Sequence, residues 1–182
     1  SPGPAQLFER LPRLIAFLRC AIDIRNVDVA AASKAGVLVT QASAGFVTSV
    51  SEMVLGFLVD LSRGITRSAT LYHQNKVPPA SMGRELKGST IGVIGYGAIG
   101  REVVRIAQAL GMRVLVHDPY QNVEQVPLDT LLKESDFVVP LAVGSAETEN
   151  LIDARALARM KHGAYLINMS RGNLVDEAAL EA

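Results

Sequence analysis

The chain has 182 residues, 49% of them hydrophobic and 20% charged, with 5% aromatics and no Trp. Its apolar content is therefore Ala, Val, Leu and Ile, which suits buried parallel strands under helices and excludes a disordered or collagen-like chain. Eighteen basic and eighteen acidic residues cancel, so no basic field exists to hold a nucleic-acid backbone, and no apolar run approaches the roughly 18–20 residues of a membrane span.

A single cysteine, Cys20, excludes a disulfide framework and a CxxC metal site. We expect no metal, no membrane and no nucleic-acid partner, and a reducing, cytoplasmic setting. The chain opens Ser1-Pro2-Gly3-Pro4 without Met and stops at Ala182 just after a helix start. It is expected to be a piece of something longer.

In chain order, residues 14–20 are expected to form a buried strand, 29–34 a short helix closed by Gly36, and 37–40 a second strand. From 48 to 65 the pattern turns helical, with Val50, Met53, Val54, Phe57, Leu58 and Leu61 at spacings of three and four. Leu55 and Val59 add apolar residues off that stripe, which marks either a core helix or a helix between domains or subunits. Residues 73–86 carry Pro78, Pro79 and Gly83 and read as a surface connection. Beyond them strands are expected at 90–94, 114–117, 137–141 and 164–168, with helices at 99–110, 128–133 and 154–160. That alternation implies right-handed βαβ crossovers and a parallel sheet. The fold class is α/β, doubly wound.

Residues 90–94 run into Gly95-x-Gly97-x-x-Gly100 and then an amphipathic helix with Ile99, Val103, Ile106 and Leu110 on its inward face. Gly95 permits the tight turn, Gly97 lets the backbone approach a pyrophosphate, and Gly100 allows close helix–strand packing. The helix N-terminus beyond, at Ala98 and Ile99, offers unpaired N–H groups and positive dipole to phosphates. Eighteen residues past Gly100 the next strand ends at Asp118. Its carboxylate can accept from both ribose hydroxyls of adenosine and would repel a 2′-phosphate, so NAD is expected rather than NADP. Asp118 can equally start a turn with Pro119; the two readings are compatible.

A third informative stretch runs through Asn168-Met169-Ser170-Arg171-Gly172-Asn173-Leu174-Val175-Asp176-Glu177. It is a buried strand that delivers Arg171 to its C-terminal end, where α/β ligands bind, with Gly172 turning the chain and Asp176 capping the next helix. Spacing alone leaves Arg171 a ligand group, a surface charge or a partner for an acid.

The run Gly163-Ala164 through Asn168-x-x-Arg171-Gly172-x-x-Val175-Asp176-Glu177 resembles the signature of the D-isomer-specific 2-hydroxyacid dehydrogenases. That family includes D-lactate, D-glycerate and D-3-phosphoglycerate dehydrogenases and hydroxypyruvate reductases. Leu86-x-Gly88-x-Thr90-x-Gly92 is similar to the family's approach to its cofactor site. Leu11-Pro12-Arg13-Leu14, Asn26-Val27-Asp28 and Gly36-Val37-Leu38-Val39-Thr40 extend the likeness along nearly the whole chain.

The resemblance implies a Rossmann-type NAD-binding domain inserted in a discontinuous, flavodoxin-like substrate domain. Residues 1–45 would be part of the substrate domain and 46–182 most of the NAD-binding domain. It implies an oxidoreductase that moves a hydride between a nicotinamide and a small D-2-hydroxy or 2-keto acid, and a homodimer with the helix at 48–65 in or beside the interface. Gly95, Gly97, Ala98, Ile99, Gly100, Asp118, Ala142, Thr148, Met169, Ser170 and Arg171 would contact NAD. Arg171 would be catalytic, its fork holding the substrate's carboxylate or keto oxygen, with Ala21, Ile22 and Asp23 also at the substrate.

The family's proton-handling His and Glu lie C-terminal to Arg171, and His73, His117 and His162 do not replace them. A chain of these residues alone is expected to show no turnover. Two departures stand out: Ala21 and Asp23 sit where the family commonly has glycines, and Leu141-Ala142-Val143 stands where a His-x-Pro turn is usual. The connection from Asp118 to Leu128 is also short. Formate dehydrogenases share the scaffold but gain little support here. The alternative readings are an NAD-sensing dimeric module of the C-terminal-binding-protein co-repressor type, and an NAD-binding fragment without catalysis.

Overall fold

The computed structural model describes residues 3–21, 24–43 and 45–181. They fall into two compact units, Ser1–Phe46 and Val47–Ala182. The first contains α1 (Ala5–Arg10), β1 (Ala16–Leu18), α2 (Val29–Lys34) and β2 (Leu38–Thr40). Strands β1 and β2 pair in parallel, Ala16 opposite Leu38 and Leu18 opposite Thr40. Phe8, Val27, Ala32 and Val37 form its core, with Phe17 set edge-on against Phe8 at 5.9 Å between ring centres. Asp28 caps α2 by accepting from the Ala31 amide at 2.8 Å.

The buried strand expected at 14–20 is three residues long and only partly covered, with Leu18 exposed. A two-stranded sheet lets alternate side chains face solvent, so its apolar run does not report full burial.

In the second unit α3 (Val47–Arg63) is followed, after Gly64, by α4 (Ile65–His73). Then come β3 (Thr90–Ile94), α5 (Ala98–Ala109), β4 (Arg113–His117), α6 (Leu128–Glu134), β5 (Phe137–Pro140), α7 (Ala154–Arg159) and β6 (Tyr165–Leu166). A 3-10 turn at Gly172–Leu174 leads to α8 (Glu177–Glu181), whose first turn Asp176 caps through the Ala179 amide at 3.1 Å. The four strands lie in the order β4-β3-β5-β6, all parallel.

β3 is buried along its whole length, as a central parallel strand must be. On one face Ile91, Val93 and Val116 pack with Val54 and Leu58 of α3 and Val103, Val104 and Ala107 of α5. On the other, Ile94, Leu115 and Val138 pack with Leu131 and Leu132 of α6 and Ala156 of α7. Helices therefore cover both faces, which is the doubly wound architecture. Gly92 points at α6: a Cβ there would lie 2.4 Å from Leu131 Cδ2, so only a glycine lets α6 settle so close.

Three helical expectations need correction. The helix expected at 48–65 ends at Arg63, because Gly64 adopts φ 66°, and Asp60 Oδ1 accepts from the Thr66 amide at 2.6 Å to start α4. Its buried row is Ser51, Val54, Leu58 and Ser62, while Met53 and Phe57 are exposed. Small serines admit close helix packing, so the buried face is rotated away from the largest side chains. On α5 the buried residues are Gly100, Val103, Val104 and Ala107; Ile106 is half-buried and Leu110 exposed.

Among the described residues no helix is long and apolar enough to cross a membrane, and no three of His, Cys, Asp and Glu converge as a metal site would require.

Candidate cofactor site

The chain leaves β3 for β4 on one side and returns to β5 on the other, so the ends of β3 and β5 form a topological switch point. Crevices at such points bind ligands in open α/β sheets. Here the three strand ends are tied together. The Gly95 amide donates to the His117 carbonyl at 2.9 Å, and the Leu141 amide donates to the Ile94 carbonyl at 2.7 Å.

Gly95 has φ 102°, and a Cβ on it would lie 2.6 Å from the Ala142 nitrogen. Gly100 presses against the same turn, where a Cβ would meet the Gly95 carbonyl oxygen at 2.1 Å. Both glycines are required by the protein itself. Gly97 is different. Its φ of −73° suits other residues, and a Cβ on it would have no protein atom within 4 Å. Space kept clear at a helix start is the cradle expected for a phosphate, and the amides of Ala98, Ile99 and Gly100 have no carbonyl partner within α5. The side chain of Ile99 packs on the core, so its contribution to the crevice is backbone.

Asp118 ends β4 beside this turn. One carboxylate oxygen accepts from the Tyr96 amide at 2.7 Å and the other from the Tyr120 amide at 2.9 Å. It therefore both shapes the glycine turn and starts the turn through Pro119.

The remaining expected residues lie on two loops. Ala142 and Thr148 follow β5. The Thr148 hydroxyl donates to the Val143 carbonyl at 2.7 Å and accepts from the Ser145 amide at 2.8 Å, so it fixes its own loop. Met169, Ser170 and Arg171 follow β6. Met169 packs on the core, and the Ser170 hydroxyl donates to the Ala142 carbonyl. Asn168 sets this turn by accepting from the Ser170 amide at 3.0 Å and donating to the Arg171 carbonyl at 2.8 Å. Arg171 is exposed, with its stem laid on Gly144, where a Cβ would sit 3.1 Å from Arg171 Cγ. Of the expected substrate residues, Ala21 accepts at its carbonyl from the Ala42 amide at 3.3 Å in the first unit. Ile22 and Asp23 lie outside the described residues.

Three supporting residues were not evident from sequence: Gly144 beneath Arg171, Arg101, and Tyr120. Arg101 donates to the Tyr96 carbonyl at 3.2 Å and to Gln121 at 2.8 Å. Tyr120 donates to Glu147 at 2.5 Å. A glycine and an arginine flanking known motifs were the only signals available.

The family model described as D-isomer specific 2-hydroxyacid dehydrogenase, NAD binding domain, matches residues 55–182. The chain belongs to this family. It is 41% identical over 190 aligned residues to the (S)-sulfolactate dehydrogenase of Chromohalobacter salexigens, covering 97% of this chain and 60% of that protein. The hydroxypyruvate reductase of Thermotoga maritima is 36% identical over 185, with the same coverage of 97% and 60%. The D-lactate dehydrogenase of Aquifex aeolicus, solved in complex with NAD and lactic acid, superposes with a TM-score of 0.85. It is 32% identical, over 98% of this chain and 56% of that one. The chain thus spans about 60% of the length of the curated relatives it matches. Residues 55–182, which include the glycine turn, match an NAD-binding domain.

Proposed function

We infer that the whole protein is an NAD-dependent oxidoreductase acting on a small D-2-hydroxy or 2-keto acid. Bound NAD would supply the hydride acceptor or donor. Ala98, Ile99 and Gly100 hold the pyrophosphate through their amides, and Asp118 holds the adenosine ribose. Arg171 carries the substrate's carboxylate or keto oxygen. Ala142, Thr148, Met169 and Ser170 line the nicotinamide side, through backbone where their side chains are otherwise engaged. Residues 1–45 contribute part of a flavodoxin-like substrate domain, with Ala21, Ile22 and Asp23 at the substrate, and 46–182 the NAD-binding domain. The protein works as a homodimer in the cytoplasm, where the exposed thiol of Cys20 is stable as a thiol.

The observation that carries this reading is the link between the two signature turns. Ser170, next to Arg171, is bonded to Ala142, the residue against which Gly95 packs. The arginine and the phosphate turn therefore belong to one crevice. The test is Arg171→Lys in the whole protein, assayed by NADH oxidation with hydroxypyruvate or glyoxylate. A lysine keeps the charge and loses the two-pronged hold. We expect kcat/KM to fall by about 30- to 1000-fold, or roughly 2–4 kcal/mol, with NADH affinity within a few-fold. A wild-type rate would remove Arg171 from the reaction.

A further inference from the structure

The loops that follow β4 and β5 leave the strands on either side of β3, and one side-chain bond joins them. Tyr120 Oη donates to Glu147 Oε2 at 2.5 Å, 27 residues apart in sequence. The amide of the same Tyr120 donates to Asp118 Oδ1, 2.9 Å away. One tyrosine therefore bonds both carboxylates, Asp118 through its amide and Glu147 through its phenol. Through Tyr120, Glu147 is tied to the end of β4, where the reading of Asp118 as ribose ligand puts the adenosine.

We propose that Glu147, held in position by Tyr120, is a second specificity determinant that excludes 2′-phosphorylated nucleotides. The proposal rests on the reading of Asp118 as the ribose ligand. A hydroxyl at the ribose 2′ position donates to a nearby carboxylate; a phosphate there adds up to two negative charges between Asp118 and Glu147. The phenol already registers both charges. Tyr120 titrates above the ordinary tyrosine range, chiefly through its bond to Glu147 and that residue's charge, with burial and the Asp118 charge adding to the shift. Tyr120 and Glu147 are both exposed, so their bond contributes little to stability. The arrangement is better accounted for by what it places at the crevice than by what it adds to the fold.

Glu147→Gln removes the charge and keeps an acceptor for Tyr120. Tyr120→Phe removes the hold and keeps the charge. NADH and NADPH are titrated against the whole protein, followed by nucleotide fluorescence. In Glu147→Gln the affinity for NADPH relative to NADH should rise on the order of 5-fold at low salt. The gain should shrink below about 2-fold at 0.5 M salt, as a screened charge requires and a structural effect does not. Tyr120→Phe should shift the ratio in the same direction by less. An unchanged ratio in both variants, with NADH still bound, overturns the role of Glu147 and leaves the cofactor assignment standing. Failure of the wild-type chain to bind NADH overturns both.

Discussion

Gly97 separates what the fold needs from what the ligand needs. Gly95 and Gly100 have protein atoms where a Cβ would stand, whereas Gly97 has open space. Gly97→Ala should therefore fold as well as the parent, with Tm unchanged within about 2 °C, a shift equivalent to less than roughly 1 kcal/mol. Its methyl group would occupy the approach of the pyrophosphate, so NADH affinity should fall by at least about 30-fold. Gly100→Ala should instead lose Tm, since a methyl group at 2.1 Å from the Gly95 oxygen forces α5 off the sheet. Thermal melts and nucleotide titration of the two variants distinguish the cases; a Gly97→Ala chain that binds NADH normally would contradict the cradle. The spacing of the three glycines, the turn at Gly95 and the close packing at Gly100 were legible in the sequence, but the atoms that crowd them were not. Which glycine is crowded depends on Ala142 and on the Gly95 carbonyl, set by strand order. The close packing of Gly92 on Leu131 and of Gly144 on Arg171 was hidden for the same reason.

At the scale of elements, periodicity reported those segments that bury a face. β3 spans Thr90–Ile94, as its apolar run before Gly95 led us to expect, and α2 spans Val29–Lys34, as the stop at Gly36 indicated although it buries only Ala32. α4 buries no residue and α1 only Phe8, so neither prints a stripe that reading the sequence could find. What joins the elements at the base of the sheet is also non-periodic. Asp136, just before β5, accepts from the Thr90 amide at 2.8 Å and pairs with Lys161 at 3.1 Å. Burial pushes its carboxyl up, but the Thr90 amide, the Lys161 ammonium and the charge of Arg84 together hold it below the ordinary aspartate value. A carboxyl depressed in the folded state stabilises above its unfolded pKa of about 3.9, and that contribution disappears as pH falls through the lower folded value. Asp136→Asn should lower stability by about 1–2 kcal/mol at pH 7. The difference from the parent should narrow as both are taken below pH 4. Urea midpoints measured from pH 7 to pH 2.5 check this, and a difference that stays constant with pH would show that the charge on Asp136 is not what holds the strands.

For the whole molecule, α3 presents an apolar row that its own unit leaves uncovered. Met53 is 52% exposed and Phe57 41%, one turn apart on α3, and Ile65 at the start of α4 is 53% exposed. The core of this unit is served by Ser51, Val54, Leu58 and Ser62 on a different side of the helix. A row of large apolar residues in water costs free energy unless something covers it, and a second copy is the partner consistent with the proposed homodimer. In a two-fold interface each residue is used twice, so one substitution removes two contacts. With about 1 kcal/mol for each half-exposed side chain covered, replacing Met53 and Phe57 together removes several kcal/mol. That is enough to bring a micromolar dimer apart. The whole protein should sediment as a dimer at micromolar concentration, and the Met53→Lys, Phe57→Lys double variant as a monomer. NADH binding should survive in the variant, because the glycine turn and Asp118 take no support from those two side chains. A parent that sediments as a monomer, or a double variant that remains dimeric, would place the covering surface of α3 elsewhere.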